Sequence, residues 1–180
     1  MVEIEVKIRV QDPKTVRDKL LALGAAVTTD RVLEENILYD FPAGTLKSGR
    51  RALRLRRAGK RASLTFKGSP RKSRSFKVRE EFETGVSDSG QVRKILRALG
   101  LQPAFSYRKH RTMFRKGRLA ICLDETPVGA FLELEGERHE ITRFARALGF
   151  GRPDFIQADY IELMEREKGK PKEEESPEGD

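Results

Sequence analysis

The chain has 180 residues, 37% hydrophobic and 36% charged, with a formal net charge of +9 at pH 7; this suits one domain with a real core and is too patterned for a disordered chain. No apolar run approaches the ~20 residues of a membrane span, and one cysteine, Cys122, excludes an internal disulfide and fits a reducing cytoplasm. Two histidines, His110 and His139, without a cysteine cluster argue against zinc, so a metal here would be a hard cation held by carboxylates.

The first stretch, VEIEVKIRV, alternates Val2, Ile4, Val6 and Ile8 with Glu3, Glu5, Lys7 and Arg9. That is a strand with one apolar and one charged face, and a charged start of this kind argues against a secretion signal. DPKTVRDKLLALG predicts a helix with Asp12 as N-cap, Pro13 at the first helical position and Gly24 as C-cap. Glu35 to Phe41 reads as a strand, and RALRLRRAGKRASLTFKG as a hairpin turning at Ala58–Arg61. VREEFETGV is a strand followed by a helix ending at Gly100. YRKHRTMFRKGRLAICLDE is a second hairpin, turning at Lys116–Gly117, and FLELEGE precedes a helix ending at Gly149. Phe155, Ile156, Tyr160, Ile161 and Met164 have helical spacing and predict a last helix over RPDFIQADYIELMEREKG. The expected domain is residues 1–167, followed by a charged, disordered tail over 168–180 that lacks apolar residues.

Three of these segments share a plan, a Glu-x-Glu strand followed by a helix ending in Ala-Leu-Gly. The carboxylate pairs are Glu3 and Glu5, Glu81 and Glu83, and Glu133 and Glu135. About eight strands and four helices imply an α+β fold built on a closed or nearly closed antiparallel barrel.

Sorting each strand by parity concentrates charge on single faces. Arg54 and Arg56 oppose Leu53 and Leu55; Lys67 opposes Leu64 and Phe66. Lys77, Arg79, Glu81 and Glu83 align, as do Lys109 and Arg111; Asp124 opposes Leu123, and Glu133 and Glu135 oppose Leu132 and Leu134. One such strand is explained by a wet sheet face with cross-strand ion pairs. Six or seven need more, because like charges in a row raise one another's energy unless counter-charges are supplied. A polyanion facing the basic cluster and a divalent cation facing the carboxylates would supply them, inside a barrel with a charged lumen and its apolar faces turned out against the helices. From Phe41 to Arg79 there are 14 Lys and Arg residues and no Asp or Glu, which calls for an anionic partner. Arginine forks fit phosphate oxygens, and carboxylates fit Mg²⁺ or Mn²⁺. No Walker motif is present, since Arg61 follows Gly59 and Lys60 where Ser or Thr is required. His110 alternates away from Lys109 and Arg111, so it has no evident catalytic partner.

With these residues in view, the chain resembles the CYTH superfamily, the triphosphate tunnel metalloenzymes. Glu3-x-Glu5-x-Lys7 is similar to the family's N-terminal signature. The similarity continues through NILYDFPAGTL, ALRLRR, LTFKG, REEFE, YRKHR and ICLDETPVGAFLELE, over roughly residues 2 to 150. The resemblance implies an eight-stranded tunnel fold. It implies metal binding by Glu3, Glu5, Glu133 and Glu135, with Asp124 near the metal. Arg54, Arg56, Lys67, Arg79, Lys109 and Arg111 match the basic triphosphate contacts. Glu81 matches an acidic tunnel position, serving either the metal or a lysine. Lys7 matches a catalytic tunnel lysine that contacts substrate or helps to deprotonate the nucleophile. One departure stands out: some hydrolytic members carry a tyrosine where this chain has Leu38, and Tyr39 falls on the opposite face.

The chain looks most like the class IV adenylyl cyclase subgroup, which converts ATP to cyclic AMP and pyrophosphate with Mg²⁺ or Mn²⁺. The alternative is a triphosphatase acting on tripolyphosphate, thiamine triphosphate or a nucleoside triphosphate. A third reading is a polyphosphate- or RNA-binding module without catalysis. The absence of Trp and the 7% aromatic content leave few base-stacking platforms and weigh against nucleic acid.

Overall fold

A computed structural model of the chain describes residues 2–168. In chain order the elements begin with β1 (Val2–Val10), α1 (Pro13–Ala22), β2 (Ala26–Asp40), α2 (Thr45–Ser48), β3 (Ala52–Ala58), β4 (Arg61–Lys67) and β5 (Lys77–Val86). They continue with α3 (Ser89–Ala98), β6 (Gln102–Lys116), β7 (Leu119–Thr126), β8 (Gly129–Glu135), α4 (Arg138–Ala147), β9 (Phe155–Ile156) and α5 (Tyr160–Lys168). Around the wall the strands run β5-β4-β3-β2-β6-β7-β8-β1, and β1 pairs back onto β5. The sheet is thus the closed eight-stranded antiparallel barrel that the alternation predicts, with helices outside. No helix among the described residues is long and apolar enough to cross a membrane.

β1 is the closing strand. Its first half pairs with β5, setting Glu3 opposite Arg79 and Glu5 opposite Lys77. From Glu5 onward it pairs with β8, setting Glu5 opposite Glu135 and Lys7 opposite Glu133. The alternate residues Val6, Ile8 and Val10 point outward into the main core, where they meet Val16 and Leu20 of α1 and Ile141 and Ala145 of α4. A second cluster joins Tyr39 and Leu55 of the wall to Leu46 of α2 and Leu96 of α3. The two-residue period of the strands therefore becomes a division between an apolar exterior under helices and a charged interior.

Local signals account for the helix ends. Asp12 caps α1 by accepting from Lys14 N, and Asp88 caps α3 by accepting from Gln91 N at 3.0 Å. The three Ala-Leu-Gly endings place Gly24, Gly100 and Gly149 at φ of 76°, 86° and 92°, a left-handed turn that glycine adopts at little cost. The one-turn α2 was not expected. Asp40 makes it, its carboxylate accepting from Phe41 N, Leu46 N and Lys47 N at 2.7, 2.8 and 2.9 Å.

Two sequence expectations need correction. β2 and β6 each run 15 residues, well beyond the predicted strands. Their outer halves are largely exposed and their pairing shifts register between Val27 and Val32, so no apolar alternation marks them. The predicted last helix is not continuous. Residues 152–154 form a 3₁₀ turn, and Phe155 and Ile156 join the sheet opposite Ile8 and Lys7. α5 begins only at Tyr160, after a reciprocal cap in which Asp159 accepts from Glu162 N and Glu162 accepts from Asp159 N, each at 3.0 Å. The predicted tail, from residue 169 on, lies outside the described residues.

Candidate active site

The barrel encloses a cavity of about 570 Å³, within the ~300–1,000 Å³ common for small-molecule sites. Every strand of the closed ring contributes to its lining. Eight cations face it: Lys7, Arg54, Arg56, Lys67, Lys77, Arg79, Lys109 and Arg111. Seven carboxylates join them: Glu3, Glu5, Glu81, Glu83, Glu133, Glu135 and Asp159. Of the residues singled out from sequence, all line this cavity except Asp124. Arg57, one residue off in parity, points outward and pairs with Glu35.

The charges neutralise one another in chains along the wall. Lys67 meets both oxygens of Glu3 at 3.0 Å and Glu81 at 2.5 Å. Lys7 meets Glu133 at 3.0 Å, and Arg111 also binds Glu133. Asp124 is fully buried one layer behind. Its oxygens accept from Lys109 at 2.8 Å, from Arg111 Nε at 2.6 Å and Nη2 at 2.6 Å, and from the Tyr160 hydroxyl at 2.6 Å. Those bonds occupy its lone pairs, so in this arrangement Asp124 holds the basic side chains in place and does not face the lumen. Glu34, 2% exposed, backs the same group, 3.6 Å from Arg56 and 3.7 Å from Lys109.

Not every donor is satisfied. Arg54, Arg56 and Arg79 each lie 3.6–3.8 Å from a carboxylate, but their buried Nε atoms have no hydrogen-bond partner among the described residues. The carboxylates show the opposite deficit. Desolvation, then the neighbouring Glu3 and Glu5, push the Glu135 carboxyl up to about 7, even though its side chain remains open to water in the lumen. Burial, then a shared hydrogen bond with Glu81, also raises Glu3. Around Lys7, burial alone would lower the ammonium's pKa, but Glu133 and Glu5 outweigh it and the net shift is upward. Lys7 is therefore a firm cation. Burial, assisted by Glu133 and Asp124, raises the Tyr160 phenol well above its usual value, and burial pushes Cys122 up to about 12. Neither is poised as a nucleophile.

Hard oxygen donors from Glu3, Glu5, Glu133 and Glu135 fit Mg²⁺ or Mn²⁺ by type, and the raised Glu135 marks a place where positive charge is wanting. No group of three such side chains among the described residues stands in a metal-holding arrangement, however. Glu3 and Glu133 are turned to their lysine and arginine partners and would have to exchange them.

The CYTH domain family model matches residues 1–148. The chain belongs to the CYTH domain family. A Methanocaldococcus jannaschii protein named "putative adenylate cyclase" is 28% identical over 174 residues, covering 91% of this chain and 98% of that protein. Among solved structures, a Vibrio parahaemolyticus protein named "putative adenylate cyclase" superposes with a TM-score of 0.83 at 20% identity, covering 92% of this chain and 98% of that one. A Hippeastrum protein, named a "putative adenylyl cyclase" that reveals a dominant triphosphatase activity, has a TM-score of 0.68 at 22% identity, covering 94% and 98%. The CYTH match ends before β9 and α5, which nonetheless bring Asp159 and Tyr160 to the cavity.

Lys77, Glu83, Tyr107, Asp159 and Tyr160 line the site without having been singled out as site residues. Lys77 and Glu83 share the parity of Arg79 and Glu81, a signal that was available. Asp159 and Tyr160 carry no such signal, because their approach depends on how α5 folds back. Lys77 offers a direct test of the enclosure. It is 8% exposed, and desolvation, with Arg79 and Lys7 adding to it, lowers its pKa from 10.5 to about 8. Between those values the unfolded chain binds the proton and the folded chain does not, so folding stability rises with pH across that window. Urea unfolding at pH 7.5 and 10 should show the wild type gaining about 2 kcal/mol relative to Lys77→Met. Parallel pH dependence in the two proteins would mean that Lys77 is not desolvated.

Proposed function

We propose that the chain is a metal-dependent enzyme that takes a triphosphate into the barrel lumen, and that it converts ATP to cyclic AMP and pyrophosphate. The observation that carries the reading is an enclosed cavity lined by eight cations and seven carboxylates, in which the Nε atoms of Arg54, Arg56 and Arg79 lack hydrogen-bond partners among the described residues and Glu135 is crowded by Glu3 and Glu5. An anionic phosphate chain answers the first need and a divalent cation the second.

In this reading Arg54, Arg56, Lys67, Arg79, Lys109 and Arg111 hold phosphate oxygens, with charge-assisted bonds that sharpen in a low-dielectric cavity. Glu3, Glu5, Glu133 and Glu135 would hold Mg²⁺ or Mn²⁺. When bound, such a cation stabilises charge on the phosphate oxygens and lowers the pKa of a nearby hydroxyl. Lys7, held as an ammonium, grips anions and does not accept a proton. The ribose 3′-oxygen forms a bond to the α-phosphorus, the bond from that phosphorus to the bridging oxygen breaks, and pyrophosphate leaves with that oxygen; the hydroxyl proton passes to solvent or a carboxylate.

The cyclase direction draws on the M. jannaschii relative's name and on the wall. Leu38 lines the cavity without a hydroxyl and Tyr39 packs outside, so the nucleophile is best delivered by the substrate itself, at high effective concentration. A triphosphatase is the second reading, favoured by the Hippeastrum structure's activity.

Three measurements bear on this reading. Purified protein given ATP, or separately tripolyphosphate, with Mg²⁺ or Mn²⁺ should yield cyclic AMP and pyrophosphate from ATP. Orthophosphate without cyclic AMP, or far faster loss of tripolyphosphate, would transfer the assignment to hydrolysis; no cleavage of any triphosphate would remove both readings. Arg54→Ala and Arg56→Ala should each lower triphosphate affinity by roughly 10- to 150-fold, equivalent to ~1.5–3 kcal/mol, with Arg57→Ala near wild type. Equal losses in all three would contradict the division of β3 into inner and outer faces. Glu135→Gln should weaken Mn²⁺ binding in calorimetry and abolish metal-dependent turnover with an unchanged circular dichroism spectrum; an unaltered metal titration would exclude Glu135 as a ligand.

A further inference from the structure

Tyr160 opens α5, beyond the residues matched by the family model. It is 5% exposed, yet it lines the lumen. Two features fix it. Its hydroxyl donates to Asp124 at 2.6 Å, and its ring is wedged edge-on against Phe131 with centroids 5.6 Å apart. The same ring then lies against two substrate-facing cations, with Lys7 Nζ 4.3 Å and Lys109 Nζ 4.6 Å from its centroid. Just before it in the chain, the Ala158 carbonyl oxygen stands 3.5 Å from Lys7 Nζ.

We propose that Tyr160 is a positioning residue that holds the Lys7 ammonium toward the lumen through its ring face. The inference rests on the triphosphate reading of the site. A ring face attracts an ammonium without accepting any of its N–H bonds in a directed way. Glu133 and the Ala158 carbonyl together take no more than two of the three Lys7 donors. The ring blocks retreat of the lysine while leaving a donor for an incoming phosphate oxygen. A further carboxylate at that place would hold Lys7 as firmly, but it would also compete with the substrate. Asp124 completes the device, since the carboxylate that fixes Lys109 and Arg111 also fixes the phenol. The chain thus places a tyrosine beside the motif lysine from its C-terminal segment, where the β2 position carries Leu38. Because the hydroxyl is spent on Asp124, the contribution is orientation and not proton transfer.

The test separates ring from hydroxyl and positioning from packing. Spectra of lysine-¹³C-labelled protein, with Lys7 assigned by its loss in Lys7→Arg, should show its ε-methylene protons shifted upfield by the ring. Tyr160→Phe, whose ring Phe131 still wedges, should keep most of that shift and lose clearly less tripolyphosphate affinity than Tyr160→Leu, which should lose the shift and bind about tenfold more weakly. If Tyr160→Leu does not fold, Tyr160→Met serves the same comparison, and absence of the wild-type upfield shift already overturns the proposal. Wild-type affinity in Tyr160→Leu would overturn it, as would an equal loss in Tyr160→Phe. If wild-type protein binds no tripolyphosphate, the triphosphate reading falls, and the Lys7 shift alone decides whether Tyr160 orders the lysine.

Discussion

The rest of the structure depends on β1 being shared between β5 and β8. That double pairing closes the sheet and thereby carries Glu3, Glu5 and Lys7 into an enclosed interior. A small barrel ordinarily fills its interior with apolar side chains. Here the helices lie outside, so the apolar faces must turn outward and charge is left within. Desolvating an ion costs several kcal/mol unless a partner compensates. The wall answers with alternating cations and carboxylates, from Lys67 between Glu3 and Glu81 to Arg111 between Asp124 and Glu133. The ion pairs are the condition on which the enclosed charges can exist at all.

The same arrangement prepares the site for its ligand. Much of the desolvation occurs on folding, before any ligand enters. In the proposed reading a phosphate chain or a divalent cation would exchange partners with groups that folding has already paired, and rigid strands hold those groups in position. The deficits that remain are informative in their placement. Guanidinium donors of Arg54, Arg56 and Arg79 are left over on β3 and β5, and carboxylates crowd where β1 meets β8.

The C-terminal segment works on a different principle. β9 takes a place beside β1 at Lys7 and Ile8, and α5 adds an apolar cluster of Phe131, Ala158, Tyr160, Leu163 and Met164 next to the charged wall. It joins a packed core to the ion-pair network through Tyr160, on Asp124, and through Asp159, 3.9 Å from Lys77. Order in α5 is thereby coupled to the orientation of Lys7 and Lys109.

Much of this was legible in the residue pattern. Period-two alternation is a local property, so the parity that separates Arg54 and Arg56 from Arg57, or Glu133 and Glu135 from Leu134, could be read without knowing any neighbour. The eight-stranded plan and nearly all the lumen residues come from it, as do caps such as Asp12 and Asp88, which act within three residues of themselves. What tertiary structure alone decided concerns partners far apart in the chain. Asp124 shares the inward parity, but only packing showed it sealed behind Lys109, Arg111 and Tyr160. Phe155 and Ile156 have helical spacing with Tyr160 and Ile161, yet an open edge beside β1 drew their backbone into the sheet. Tyr160 looked like an apolar helix position because its contacts lie 36 residues away at Asp124 and at the far end of the chain at Lys7. Face and cap are set by near neighbours along the chain; burial, ion-pair choice and the direction of a returning segment are set by which surfaces remain unpaired once the barrel has closed.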